Sequence, residues 1–164
     1  MSYASKIDAF ANVRLDGIGL GSAVAGGTGD TTQVVGNAVD RQIEQGFVDS
    51  ALVILDWKTT LTAVATLGFK VIVEYSADNA TWGTAEYLFG AVGAYETVET
   101  GADTAKYGQW TYRLQLSPEL QYFRVSVTPD LSAANTDTAV FGFGALLGGS
   151  TVNPISQYDT VVTY

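Results

Sequence analysis

Apolar and polar residues alternate with a period of two over several stretches of this chain. Phe69, Val71, Val73 and Tyr75 are interleaved with Lys70, Ile72, Glu74 and Ser76. Trp110, Tyr112, Leu114 and Leu116 are interleaved with Thr111, Arg113, Gln115 and Ser117. Phe123, Val125 and Val127 alternate with Tyr122, Arg124, Ser126 and Thr128, and Ala139, Phe141, Phe143 and Ala145 recur at the same spacing between Thr138 and Leu147. Successive side chains of a strand point to opposite faces, so this period predicts strands with one face on a core and the other toward water. Leu52 to Trp57 is a short apolar run, consistent with a buried strand. Turn signals divide these segments: Ser76-Ala77-Asp78-Asn79-Ala80, Ser117-Pro118-Glu119, and a polar loop from Pro129 to Asp137. Short strands separated by turns, with no long amphipathic helix, predict an all-β fold: an antiparallel β-sandwich or jelly roll.

The N-terminal third has a different texture. Residues 1–46 are rich in Gly, Ala, Thr and Val. Val13 and Leu15 suit a first short strand. Gly17-Ile18-Gly19-Leu20-Gly21 and Gly26-Gly27-Thr28-Gly29 predict a loop or an irregular edge strand. Asn37 to Gln45 predicts a short helix, with Asn37 as cap and Gly46 as stop. Gly142 and Gly144 fall on one face of the last strand, which predicts either a bulge there or the close approach of another backbone, the bulge being favoured. The expected organisation is one domain over 1–164: an irregular Gly-rich segment with a short edge strand over 1–46, a sandwich core over 47–147 and a tail over 148–164.

Composition narrows the chemistry. Hydrophobic residues make up 47% of the chain, within the globular range. There is no cysteine and no histidine. Disulfides, thiolate zinc sites and cysteine nucleophiles are excluded, as are Ser-His-Asp triads and histidine-ligated metals. No catalytic, cofactor-binding or metal-binding residue is expected. The net charge of −9 opposes binding to nucleic acid phosphates and anionic membranes. Met1 to Phe10 carries Lys6 and Asp8 and has no apolar centre, so no secretory signal is expected. Ala51 to Leu55 is the longest apolar run, far short of the ~20 residues that span a bilayer.

Phosphate-loop, dinucleotide and calcium-loop motifs are absent from the sequence. Acidic residues are the only plausible catalytic stock, and Glu96, Glu99 and Asp103 cluster near a glycine turn, where a carboxylate pair would be all that a glycosidase needs. A solvated acidic loop explains them more simply. Trp82, Tyr87 and Tyr95 flank loops and are the candidates for a sugar-stacking platform.

The linear plan resembles that of small cement (decoration) proteins of tailed-phage capsids. The residues that carry the resemblance are Val39-Asp40-Arg41 closing the Gly/Ala/Thr-rich third and the short strand Leu52-Val53-Ile54-Leu55. The strand and turn from Lys70 to Trp82 come next, then Tyr122-Phe123-Arg124-Val125-Ser126-Val127-Thr128 and the small-residue strand Ala139 to Leu147. The pattern covers most of the chain but is loose, and tail-fibre and adhesin modules share parts of it. It implies a homo-oligomer (a dimer or trimer) made in the host cytoplasm, bound through the phage major capsid protein to the outer surface of the virion. It implies no catalytic residue and no cofactor. Contacts with the capsid or between copies are expected from the irregular ends, at Tyr3, Ile7, Phe10, Val13, Leu15, Tyr158 and Tyr164. A carbohydrate-binding or adhesin-like module and a tail or head-completion component are the alternatives.

Overall fold

The computed structural model describes residues 14–43, 46–101, 105–116, 120–132 and 136–150. Its elements are all strands: β1 (Arg14–Val24), β2 (Val34–Val35), β3 (Val39–Asp40), β4 (Gln42–Ile43), β5 (Gly46–Thr60), β6 (Thr66–Ser76), β7 (Glu86–Phe89), β8 (Glu96–Thr100), β9 (Ala105–Gln115), β10 (Tyr122–Leu131) and β11 (Thr138–Ser150). They form two antiparallel sheets. In the first, β1, β11 and β5 run side by side, and the far side of β5 is shared by β9 and the short β4. In the second, β10 and β6 are central, with β2 and β3 against β10 and with β7 and β8 against β6. Taken in the order β1, β2–β3, β5, β6, β7–β8, β9, β10 and β11, the chain changes sheet at every step but the one from β6 to β7, which is the wrapping of a double-sheet jelly roll. Short pairs, β2 with β3 and β7 with β8, each fill one place in the roll.

The period-two segments form the core as expected. Val53, Leu55 and Trp57 of β5 and Phe69, Val71 and Val73 of β6 are buried between the sheets, as are Phe123, Val125 and Val127 of β10 and Phe141 and Phe143 of β11. Phe69 ties the sheets together: its ring centroid lies 5.7 Å from Trp57 and 5.3 Å from Phe141, both across the sandwich.

Four expectations are corrected. Residues 39–40 and 42–43 are strand, not helix, with Arg41 between them: Val39 and Arg41 point inward and are buried, while Asp40 and Gln42 are more exposed, a period of two. Val39 pairs with Phe123 and Arg41 donates into the core, and these contacts override the local helical signal. Residues 44–45 of the expected helix lie outside the described residues. The polar loop expected from Pro129 begins later, because β10 continues through Pro129-Asp130-Leu131, paired with Phe69-Gly68-Leu67. Proline is tolerated there because the Pro129 carbonyl accepts from the Thr31 N–H, so residue 129 turns its missing N–H away from β6. The bulge expected at Gly142 and Gly144 is absent: β11 pairs with β5 in unbroken register through both. The irregularity is in β1 instead, between Asp16 and Gly19, where Gly17 takes φ +66°. Finally, Trp110 is only half-buried and Tyr112 is 40% exposed, because β9 is the edge of its sheet.

The turn after β6 uses the chemistry expected of it. Asp78 Oδ1 accepts from the N–H groups of Ala80 (2.9 Å) and Thr81 (2.7 Å) and from the Ser76 hydroxyl (2.9 Å), and Asn79 takes φ 58°. The backbone N–H of Thr81, then that of Ala80, holds the Asp78 carboxyl at about 2, below its ordinary 3.8. The folded value is depressed, so this stabilisation is present above pH ~4 and lost as pH falls toward 2. An NMR titration of the Asp78 carboxyl is expected to have its midpoint near 2, and the Asp78→Asn chain is expected to lose the pH dependence of the Ala80 and Thr81 amide shifts.

Candidate docking surface

The solvent-facing side of the first sheet is apolar where water would favour polar side chains. Strand register sets its composition. Paired residues share a face, so Leu15, Leu146, Leu52 and Arg113 form one row across β1, β11, β5 and β9. Gly144, Ile54 and Thr111 form the next, with Ile18 of the β1 bulge beside them. Leu20, Gly142, Asp56 and Gln109 follow, then Ser22, Val140, Lys58 and Tyr107. Leu20 is 77% exposed and Tyr107 71%, and Leu15, Ile18, Val24 and Val140 are also largely exposed. Large isolated apolar residues are ordinary on a surface, but a contiguous set spanning neighbouring strands marks an interaction site.

The face has relief. Gly142 and Gly144 leave β11 without side chains at two successive outward positions, and β1 leans over the gap. A Cβ on Gly142 would lie 3.0 Å from Leu20 Cδ2, and one on Gly144 would lie 3.3 Å from Leu15 Cδ1. The space above the glycine pair is thus covered by the side-chain ends of Leu20 and Leu15, which lie closer than any other backbone. A depression of about 250 Å³ remains, lined by Leu15, Ile18, Leu20 and Ile54 together with Gly142 and Gly144. A second of about 430 Å³ adjoins it beyond Leu20, against Val140, Lys58 and Tyr107. Both are shallow and open.

The electrostatics of this face differ from those of the whole chain. Its charged members in the rows above are Asp56, Lys58 and Arg113, one acid and two bases, against a net charge of −9 overall. Gln109 Nε2 donates to Asp56 Oδ1 at 2.7 Å, and the Lys58 ammonium lies 5.5 Å from the Tyr107 ring centroid. An acidic partner surface would not be repelled here.

Of the residues expected to make contacts, Leu15 is on this face, in the edge strand β1. Tyr3, Ile7, Phe10, Val13, Tyr158 and Tyr164 lie outside the described residues. Sequence reasoning missed Ile18, Leu20, Ile54 and Val140. For Ile18 and Leu20 the alternation with glycine was the available signal, but it gave no direction, and Ile54 and Val140 stand among apolar neighbours that conceal their outward face.

The opposite sheet carries the aromatic candidates. Tyr87 pairs with Ile72, the Arg124 guanidinium lies 4.2 Å from the Trp82 ring centroid, and the Lys70 ammonium lies 5.2 Å from that of Tyr95. Ile72, Arg124 and Lys70 all point outward, so Trp82, Tyr87 and Tyr95 share the outer side of the second sheet. Cations already cover Trp82 and Tyr95, and Arg124 is itself held by Glu74 at 2.8 Å. Glu99 is ion-paired with Lys106 at 2.9 Å, Glu96 is exposed, and Asp103 lies outside the described residues. Among the described residues no group of His, Cys, Asp or Glu is placed to hold a metal ion.

No family model and no curated protein matches the sequence. Among solved structures, the chain is similar to one from infectious bursal disease virus, Gt strain, at 11% identity and a TM-score of 0.46, covering 83% of this chain and 32% of that one. For the T13 particle of the same virus the identity is 12%, the TM-score 0.46, and the coverage 84% and 31%. It is also similar to the CBM22-1 xylan-binding domain of Xyn10C from Paenibacillus barcinonensis, at 11% identity and a TM-score of 0.35, covering 83% of this chain and 85% of that domain. The chain thus spans about a third of the length of the viral chains it matches.

Proposed function

We propose that this protein is a non-catalytic structural component of a tailed-phage virion, which docks on the outer surface of the assembled capsid and stabilises it. The observation that carries this reading is the aliphatic outer face of the first sheet, centred on Leu15, Ile18, Leu20 and Val140. Burying that face against the major capsid protein would release its hydration water. A protein that binds the assembled shell and not its free subunits shifts the equilibrium toward the shell. Self-association into a dimer or trimer would let one particle of cement hold several capsid subunits, and linked contacts gain avidity without being individually tight. A preformed sandwich loses little entropy on docking.

The test is co-sedimentation of the purified chain with shells assembled from the major capsid protein of the phage genome that encodes it. The wild-type chain is expected to sediment with the shells at a saturable ratio. Ile18→Lys/Leu20→Lys is expected to lose at least tenfold in binding with its melting temperature unchanged, because both side chains are solvent-facing. A wild-type chain that stays in the supernatant at every concentration would sink the reading. A carbohydrate-binding role is the second reading, favoured by the shared face of Trp82, Tyr87 and Tyr95. Saturable oligosaccharide binding that is lost in Trp82→Ala would support it over the first.

A further inference from the structure

The first sheet has two edges, and the chain treats them differently. β1 is closed off by three devices of the kind that prevent unwanted strand pairing. Its ladder is broken by the bulge at Asp16–Gly19. Its Ile18 carbonyl accepts from the Asn37 N–H at 3.4 Å. Its Val24 N–H donates to the Thr28 carbonyl at 3.0 Å, and Val24 bridges to Gly29 in the loop that folds back along it.

β9, the opposite edge, has none of these. It is 11 residues long, contains no proline, and pairs with β5 in unbroken register from Ser50↔Gln115 to Thr60↔Ala105. Its direction of hydrogen bonding follows from one bond. The Leu116 N–H donates to the Asp49 carbonyl at 2.9 Å, so residue 116 faces β5. Alternate residues of a strand turn their N–H and C=O to opposite sides. Leu114, Tyr112, Trp110 and Gly108 therefore also face β5, and Tyr107, Gln109, Thr111 and Arg113 present their backbone groups to the open edge. No described strand pairs with that edge.

The side chains along the edge state what would fit. On the inner side, the Trp110 and Tyr112 rings stack at 16° with centroids 5.8 Å apart, and Phe89 lies 5.0 Å from Trp110, leaving a half-exposed aromatic rim. On the outer side, β9 carries no acidic residue. Its one outward charge is Arg113, which is exposed and has no ion-pair partner among the described residues, whereas Lys106 lies on the inner side and is bound by Glu99. We propose that the free edge of β9 accepts an extended strand from a partner chain, one that places apolar side chains over Trp110 and Tyr112 and a carboxylate beside Arg113. Main-chain bonds would supply the affinity and the alternate side chains the selectivity. A second copy of β9 fits less well, because it brings no carboxylate to Arg113. The edge borders the apolar face and shares Tyr107 and Arg113 with it, but strand addition uses backbone groups that the face does not, so this role does not depend on the partner being a capsid.

The probe is a short soluble peptide alternating valine and threonine with one central glutamate, compared with the same peptide carrying lysine. The readout is amide hydrogen exchange in the full chain. The amides of Tyr107, Gln109, Thr111 and Arg113 are expected to slow at least tenfold with the glutamate peptide and less with the lysine peptide, while those of Trp110 and Tyr112 stay as they were. Thr111→Pro removes a donor from the open side only and is expected to abolish the effect. Arg113→Glu, which keeps every backbone donor, is expected to reverse the preference between the peptides. Four amides already slow in the free, dilute chain would overturn the proposal, as would no slowing at millimolar peptide or equal slowing by both peptides. Slowing that grows with protein concentration and needs no peptide would make a second copy the occupant instead.

Discussion

Arg41→Ala is expected to destabilise the fold by about 3–5 kcal/mol, in line with two hydrogen bonds from a charged donor at about 1.5–3 kcal/mol each. Arg41 is 2% exposed, among the largest fully buried side chains of the protein. Its Nε donates to the Val48 carbonyl at 2.8 Å and its Nη1 to the Leu120 carbonyl at 2.9 Å. One side chain thereby joins the start of β5 to the turn that enters β10. Burial pushes the Arg41 pKa down, and Asp49 followed by Tyr75 opposes that shift. The guanidinium stays charged because its ordinary value is so high. Truncation leaves the buried Val48 carbonyl and the part-buried Leu120 carbonyl without this donor, and each such loss is costly. For a chain of this size the change corresponds to a fall in melting temperature of roughly 10 °C. Arg41→Lys is expected to recover less than half of it, because a single ammonium cannot reproduce the planar fork that reaches both oxygens. Thermal and urea unfolding of the three proteins would measure this. A loss below about 1 kcal/mol for Arg41→Ala would mean that the carbonyls find other donors.

The second large effect is expected at Gly19 and Gly21. Both face inward from β1, opposite Phe143 and Phe141 of β11. The rings lie across the glycine backbone, and a Cβ at either position would overlap the ring of its partner. Adding a methyl group to a filled core typically costs 1–3 kcal/mol, so Gly19→Ala/Gly21→Ala is expected to lose about 4 kcal/mol. A double-mutant cycle separates this steric cause from backbone flexibility. In a Phe143→Leu background, Gly19→Ala is expected to cost at least 1 kcal/mol less than in the wild type, the coupling expected of residues in contact. Zero coupling would show that the glycine is needed for its backbone and not for the space above it.

These two sites mark where a local reading of the sequence stops. The core was legible wherever a strand carries its own alternation. Phe69, Val71, Val73 and Tyr75, or Phe123, Val125 and Val127, declare their buried face without knowledge of the neighbouring strand. Gly17 to Gly21 did not, because what fills the space at Gly19 and Gly21 is Phe143 and Phe141, more than a hundred residues further along. The helix expected over 37–45 failed for the same reason: Arg41 finds its acceptors at residues 48 and 120.

The candidate surfaces divide in the same way. Leu15 was singled out from the sequence, but Ile18, Leu20 and Val140 join it only once β1 lies against β11. Trp110 and Tyr112 carry a core-like pattern, yet they border an open edge because no described strand follows β9 in the sheet. The sequence by itself determined the class of fold, the inward faces of the central strands and the poverty of catalytic side chains, since side-chain period and residue chemistry are properties of the chain read locally. Strand order, register and edge position arise from pairings between distant segments. Only the tertiary structure decided which apolar residues meet water together and which backbone groups are left to bond with something else.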